Sequence, residues 1–305
     1  MQTLTRRRFL AVTSAACLMS QASAAQAYRW RGVALGAQAT ILLDHPDAEA
    51  LTARAVAEID RLENVFSLYR AQSALMRLNA AGRLDAPAFE LLECLSIAGR
   101  VHAATGGAFD PTVQPLWAAH AEARANGRAP DPAVLEQAAA RVGWERLTFD
   151  SDAIRLAPGQ ALTLNGIAQG YIADKVADLF RAAGVKDVLV DTGEIVAMGN
   201  ATGQTGWPVT IRGTGTALAL SGRALATSAV MGTVLDTEGT VGHILDPRTG
   251  ETAHGVWAEA SVSADRAAVA DALSTGLVVM TRAGAARAAA AVLPGARIES
   301  LQARS

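Results

Sequence analysis

Asp271, Ser274 and Thr275 lie in the run Ala270-Asp-Ala-Leu-Ser-Thr275, at spacings of i, i+3 and i+4. On a helix that spacing puts one carboxylate and two hydroxyls on a single face. Oxygen donors of this kind suit magnesium, which keeps waters or substrate phosphates among its ligands. The bland alternative is a polar face turned to solvent, which the surrounding Ala, Val and Leu make less natural. A second cluster, Leu162-Thr-Leu-Asn-Gly-Ile-Ala-Gln-Gly-Tyr171 with Asp174 beyond, reads as a strand entering a helix. Free N–H groups and the helix dipole favour a phosphate there. It matches neither the Rossmann glycine spacing nor the P-loop. A third, Gly242-His-Ile-Leu-Asp-Pro-Arg-Thr-Gly250, carries an Asp-Pro-x-x-Gly turn signal and a histidine at the end of a strand. His243 either points into a cleft as a proton carrier or is structural, as lone histidines usually are. The fourth is Thr105-Gly-Gly-Ala-Phe-Asp-Pro-Thr112. Its glycines admit a ligand close to the backbone and its Asp110 is held extended before Pro111, although a helix cap and turn explain the same residues.

The elements that must position these clusters are mixed. Val33 to Leu43 reads as a strand broken by Gly36. Asp47 to Phe66 reads as an amphipathic helix, with Leu51, Ala55, Ile59, Leu62 and Phe66 on one stripe. A second helix is expected over Ala88 to Ala104, stopped by Gly106-Gly107, and Ala118 to Pro132 as a surface insertion. Paired strands are expected at Leu147–Leu156 and Ala161–Leu164. They are followed by a helix at Gln169–Ala183, a strand at Val188–Ala197 and short strands between Val209 and Leu245. Helices at Ala264–Met280 and Ala283–Val292 close the chain. The order lacks a regular βαβ alternation, which argues α+β rather than a doubly wound sheet.

Composition narrows the function. Lysine occurs only at Lys175 and Lys186 and there is no basic run, so nothing suggests a nucleic-acid surface. Thr5-Arg-Arg-Arg-Phe-Leu10 precedes an apolar run to Met19, and small residues end at Ala25-Gln-Ala27. The pattern predicts a twin-arginine signal peptide over residues 1–27, cleaved before Tyr28; an ordinary secretory signal is the alternative. Cleavage removes three arginines and no acid, so the net charge of −2 becomes −5. No later stretch is long and apolar enough to cross a bilayer. Cys94 is then the only cysteine, in an apolar helical pattern that marks it as a core thiol.

Taken together, the clusters resemble the ApbE family of FAD:protein FMN transferases, from about Val33 to Leu293. The blocks occur in order: Ser67 to Ser73 with Leu78-Asn79, Thr105 to Pro115, Leu164 to Asp174, Ala226-Thr-Ser228, His243 to Gly250, and Asp271 to Thr275. Asn165 to Gly170 and Val190-Asp-Thr-Gly-Glu-Ile195 look like the NosX branch, the exported accessory to nitrous oxide reductase. The resemblance implies one α+β domain over 28–305, with mixed sheets, packed helices and FAD in a cleft between two interleaved lobes. It implies Mg²⁺-dependent transfer of FMN from FAD to a Thr or Ser hydroxyl of an exported or membrane flavoprotein, releasing AMP. A NosR-type acceptor facing the periplasm is the expected partner. Leu35 and Tyr69 would flank the rings. Ala108, Phe109, Asp110, Thr163, Gln169 and Ile244 would line the FAD pocket. Asp271, Thr275 and the Gly166 carbonyl would hold Mg²⁺ with Ser274 nearby, and His243 would assist the transfer.

The chain departs from the family pattern at several points. Gln169 stands where most relatives carry lysine, Thr163 where an acid is common, and Asn165 where a second glycine is common. Leu35-Gly36-Ala37 replaces a Met-Gly-Thr start, and Thr192-Gly193 replaces paired glycines. Two alternatives stay open: an FAD pyrophosphatase giving FMN and AMP, which would use the same residues, and a non-catalytic FAD-binding or delivery protein, which fits the missing lysine at Gln169.

Overall fold

The computed structural model describes residues 28–253, 257–292 and 295–304; the expected signal peptide lies outside them. Strands β1 (Tyr28–Ala34) and β2 (Ala37–Leu43) form a hairpin, followed by helices α1 (Ala48–Phe66) and α2 (Ala74–Ala81), strand β3 (Arg83–Asp85) and helix α3 (Phe89–Thr105). A 3-10 turn at Pro111–Val113 leads into α4 (Gln114–Ala125), α5 (Pro132–Ala139), β4 (Thr148–Phe149), β5 (Ala153–Arg155) and α6 (Ala168–Ala182). Next come β6 (Val188–Asp191), β7 (Ile195–Met198), β8 (Trp207–Ile211), β9 (Thr216–Leu220) and β10 (Arg223–Ala229). Strand β11 (Trp257–Ala264), helices α7 (Ala267–Leu277) and α8 (Arg282–Val292) and strand β12 (Arg297–Ala303) complete the described chain.

The main sheet has seven strands in the order β1-β2-β6-β7-β10-β11-β12, every pair antiparallel. Alternating side chains serve its two faces. Ile41, Leu43, Val188, Val190, Ala224 and Val262 pack with the helices. Leu42, Leu189, Ile195 and Leu225 pack instead against Trp207, Val209, Ile211 and Leu220 of the β8–β9 hairpin. Burial on both faces explains why β2 and β6 read as unbroken apolar runs rather than alternating ones. An antiparallel sheet with helices packed together on one face is the expected α+β class.

Several elements differ from the sequence expectations for identifiable reasons. The strand expected over Val33–Leu43, with its break at Gly36, is a hairpin. Leu35 and Gly36 turn the chain with φ of 48° and 83°, the two left-handed residues that a tight hairpin needs. Val188–Ala197 is likewise a hairpin, reversed at Thr192-Gly193. The expected surface insertion is mostly helix α4. Residues 161–164 form no strand: β4 and β5 pair with one another and with β3. Asn79 fixes the 162 segment instead, its side chain donating to the Leu162 carbonyl at 2.8 Å and accepting the Leu162 N–H at 2.8 Å. Strand β11 occupies the start of the helix expected at Ala264, and β12 was not anticipated. The Phe89–Thr105 helix ends on left-handed Gly106, as expected, and Cys94 is fully buried. Among the described residues no helix is long and apolar enough to cross a membrane.

Helix α7 is buried nearly all round, and two features seat it against α6. A Cβ at Gly170 would come within 2.3 Å of the Ala267 carbonyl, so only glycine allows the crossing. The Asp174 carboxylate accepts the Ala267 and Ala268 N–H groups at 2.8 and 3.0 Å, capping the helix N-terminus from a neighbouring element. Asp174→Ala leaves those donors without a partner, and we expect a loss of about 1–3 kcal/mol in urea unfolding. Burial raises the Asp174 carboxyl to about 6, against the partial offset of Arg266. Its folded pKa thus exceeds the unfolded one, so its contribution is present below about pH 4 and lost as pH rises through 6. The stability advantage of wild type over Asp174→Asn should therefore shrink across that window.

Candidate active site

A single cavity gathers the clusters. Its wall is formed by Leu35 at the first hairpin turn, Tyr69 after α1, residues 108–111 after α3, the 163–169 strand-to-helix turn, β10, the 232–247 loop and α7. Leu35, Tyr69, Ala108, Phe109, Asp110, Thr163, Gly166, Gln169, His243, Ile244, Asp271 and Thr275 all line it. Ser274 does not. Its side chain is fully buried behind the wall.

Helix α7 and the 163–169 turn meet closely. A Cβ on Gly166 would come within 2.9 Å of Thr275 Oγ1, so the bare backbone of the turn lies against the hydroxyl. Asp271 Oδ2 accepts the Gly170 N–H at 3.1 Å. Burial raises the Asp271 carboxyl well above the usual range, partly offset by that hydrogen bond. Glu194, just past the second hairpin turn, lines the same cavity and is 8% exposed. Its Oε2 accepts the Thr227 N–H at 3.2 Å. Burial, then the neighbouring charges of Asp271 and Asp191, push its carboxyl up as well. Sequence reading missed Glu194 as a site residue. The available signal was an acid set among Val190, Ile195 and Val196 in an otherwise apolar hairpin.

The 108–111 segment, which packs on α7 at Gly276, forms a further part of the wall. Asp110 caps the 3-10 turn, its Oδ1 accepting from the Thr112 N–H at 2.8 Å and the Thr112 hydroxyl at 2.7 Å. One oxygen is thereby committed to structure, and Oδ2 lies 3.7 Å from His102 Nδ1. Tyr69 is 57% exposed at the rim, its hydroxyl facing Asn165. The Leu35 N–H is held by Glu63 Oε1 at 2.6 Å, and Arg70 pairs with the same Glu63. The Ser67–Ser73 block thus steadies the rim.

Gln169 opens α6 with its side chain in the cavity wall. Its Nε2 is buried and has no hydrogen-bond partner, which leaves a donor for a bound group. A Cβ on Gly193 would approach that nitrogen to 2.7 Å, so the glycine makes room for the amide. His243 Nδ1 lies 3.0 Å from the Thr233 carbonyl. A carbonyl only accepts, so a proton on Nδ1 satisfies Thr233, and the Val230 carbonyl is a second acceptor beside the ring. Burial lowers the His243 pKa below its ordinary value, against the pull of the Thr233 and Val230 carbonyls. Downstream, Asp246 closes the expected turn, accepting the Arg248 N–H at 3.0 Å, with the Gly250 N–H on its carbonyl at 2.8 Å.

The charge balance decides what the cavity can hold. Asp110, Glu194 and Asp271 contribute carboxylates, and no Lys or Arg stands among the described lining residues. No three His, Cys, Asp or Glu side chains among the described residues form a metal cage of their own. Oxygen donors from one or two carboxylates, a hydroxyl and a backbone carbonyl fit a hard divalent cation that shares its sphere with phosphate oxygens.

Known proteins share this chain's sequence pattern and fold. The ApbE family model matches residues 35–297. An FAD:protein FMN transferase of Klebsiella pneumoniae is 29% identical, over 82% of this chain and 75% of its own. An FAD:protein FMN transferase of Treponema pallidum is 33% identical, over 73% of this chain and 69% of its own. The flavin transferase ApbE of Vibrio cholerae, solved as a histidine-to-glycine mutant, superposes with a TM-score of 0.78 at 25% identity, covering 91% of this chain and 98% of the solved one.

Proposed function

The chain belongs to the ApbE family, and on that premise we propose that it is a magnesium-dependent enzyme moving FMN from FAD to a hydroxyl of a partner protein. The observation that carries the metal requirement is the charge of the cavity. No Lys or Arg stands among the described lining residues, so an entering pyrophosphate meets no protein cation and needs an added one. Asp271, Thr275 and the Gly166 carbonyl would hold it. When bound, Mg²⁺ would neutralise the pyrophosphate and make the phosphorus nearer riboflavin more electrophilic.

The chain's own residues do the rest. Tyr69 and Leu35 at the rim and Phe109 within offer apolar surface to a ring system, and the free Gln169 amide donates to a polar group of the bound FAD. A Thr or Ser hydroxyl of the acceptor attacks the phosphorus. A new P–O bond forms, the pyrophosphate P–O bond breaks and AMP departs. The neutral His243 ring takes the hydroxyl proton. Neutrality matters here, because an imidazolium could not accept it.

The paired arginines near the chain start support twin-arginine export and a periplasmic site of action. The NosX-like blocks support a NosR-type acceptor facing that compartment. The test is incubation of the mature chain with FAD, Mg²⁺ and such an acceptor domain, followed by mass spectrometry. The expected result is covalent FMN on an acceptor Thr or Ser, with AMP in equal amount. Free FMN appearing at the same rate without acceptor would make the protein a pyrophosphatase instead. Tight FAD binding with no AMP under either condition would make it a delivery protein.

A further inference from the structure

Ser228, in the Ala226-Thr-Ser228 block on β10, has no role in the reaction as described. Its surroundings give it one. Ser274 Oγ donates to the Asp271 carbonyl at 2.9 Å, its own preceding turn. Ser228 Oγ lies 2.8 Å from Ser274 Oγ and 3.1 Å from Thr275 Oγ1. Each hydroxyl has one proton to give. With the Ser274 proton committed to the carbonyl, Ser228 must donate to Ser274, and Thr275 must then donate to Ser228. Every proton in the chain points into the protein. Thr275 Oγ1 lines the cavity, as Ser228 does, and its lone pairs are left on the side of Gly166.

We propose that Ser228 and Ser274 are positioning residues, forming a one-directional hydroxyl relay that keeps Thr275 Oγ1 presented as an acceptor to the divalent cation. The inference rests on the metal reading above. It also assigns Ser274, placed in the ligand set by its helical spacing, a supporting position behind the ligand. Without Ser228, the Thr275 hydroxyl is free to rotate and donate to the Asp271 carbonyl one turn back, as helical threonines do. Without Ser274, the Ser228 proton turns to Thr275, which drives the Thr275 proton toward the cavity. Both changes work against a cation, and partners of metal ligands typically matter by about 10–100-fold in affinity.

The test is Mn²⁺ titration of the FAD-saturated mature chain without acceptor, with free Mn²⁺ read by electron paramagnetic resonance. Ser228→Ala and Ser274→Ala should each weaken Mn²⁺ binding by about 10–100-fold. Ser228→Thr, which keeps the hydroxyl on a strand residue, should bind as wild type. In Ser274→Ala, whose hydroxyl lies behind the wall, FAD affinity without metal should be unchanged, which separates loss of the ligand's orientation from loss of the fold. Wild-type Mn²⁺ affinity in Ser228→Ala or in Ser274→Ala would overturn the relay. Asp271→Asn distinguishes the two levels: wild-type affinity in that variant would overturn the metal reading itself.

Discussion

Asp271→Asn should lower FMN transfer by at least about 10³-fold while leaving the metal-free protein as stable as wild type, or more so. The loss follows from the charge of the cavity. Lewis-acid stabilisation by a bound cation is worth several kcal/mol, and about 4 kcal/mol corresponds to 10³ in rate. The retained stability follows from burial. Asp271 is 3% exposed and its carboxyl is raised well above the ordinary range, so the ionised form costs the fold free energy at neutral pH. Asparagine keeps an oxygen for the Gly170 N–H and removes that cost. Mg²⁺ with FAD should raise the Tm of wild type and barely move that of the variant, since only a ligand that binds the folded state stabilises it. Thermal unfolding with and without Mg²⁺, beside single-turnover rates, checks both halves. A large fall in metal-free Tm would mean that Asp271 serves the fold rather than the cation.

His243→Ala should slow transfer by about 10²–10⁴-fold and leave FAD binding intact. General-base assistance is lost, and the ring's hydrogen bonds among the described residues go to the Thr233 and Val230 carbonyls of its own side of the cavity. The pH dependence gives a second reading of the same residue. Burial lowers the His243 pKa, so the neutral ring persists below its ordinary value of about 6.5. The acid limb of kcat/KM should accordingly fall below pH 6.5, where His243 becomes charged, and that limb should vanish in His243→Ala. An acid limb that survives the substitution would move the proton-accepting role to another group.

The face proposed to hold the cation was legible in the sequence because it sits on one helix. Asp271 and Thr275 are one turn apart, and local spacing alone places both on the cavity side. Gly166 was reachable for a similar reason, as a strand-to-helix turn advertises its free backbone groups. Ser274 shows the limit of that logic. Helical spacing put it on the shared face, but only the approach of β10, with Ser228, turns its hydroxyl away from the cavity. Glu194 and Ser228 depend on sheet register. Glu194 follows a hairpin turn that reads as one continuous strand, and Ser228 meets α7 across 46 residues of chain. The same ambiguity hid the first hairpin, where Leu35 accepts a left-handed conformation usually left to glycine. Asp174 was grouped with the phosphate turn by proximity in the chain. Its real partner is the N-terminus of α7, which no local pattern reveals.

The most direct test is a crystal of the mature protein soaked in FAD and Mn²⁺, with the ion located by its anomalous signal. The account predicts one peak within coordination distance, about 2.1 Å, of Asp271 Oδ and Thr275 Oγ1, bridging to the FAD pyrophosphate beside the Gly166 carbonyl. FAD bound in the cavity with no metal density at α7, or with the ion held by other residues, would contradict it.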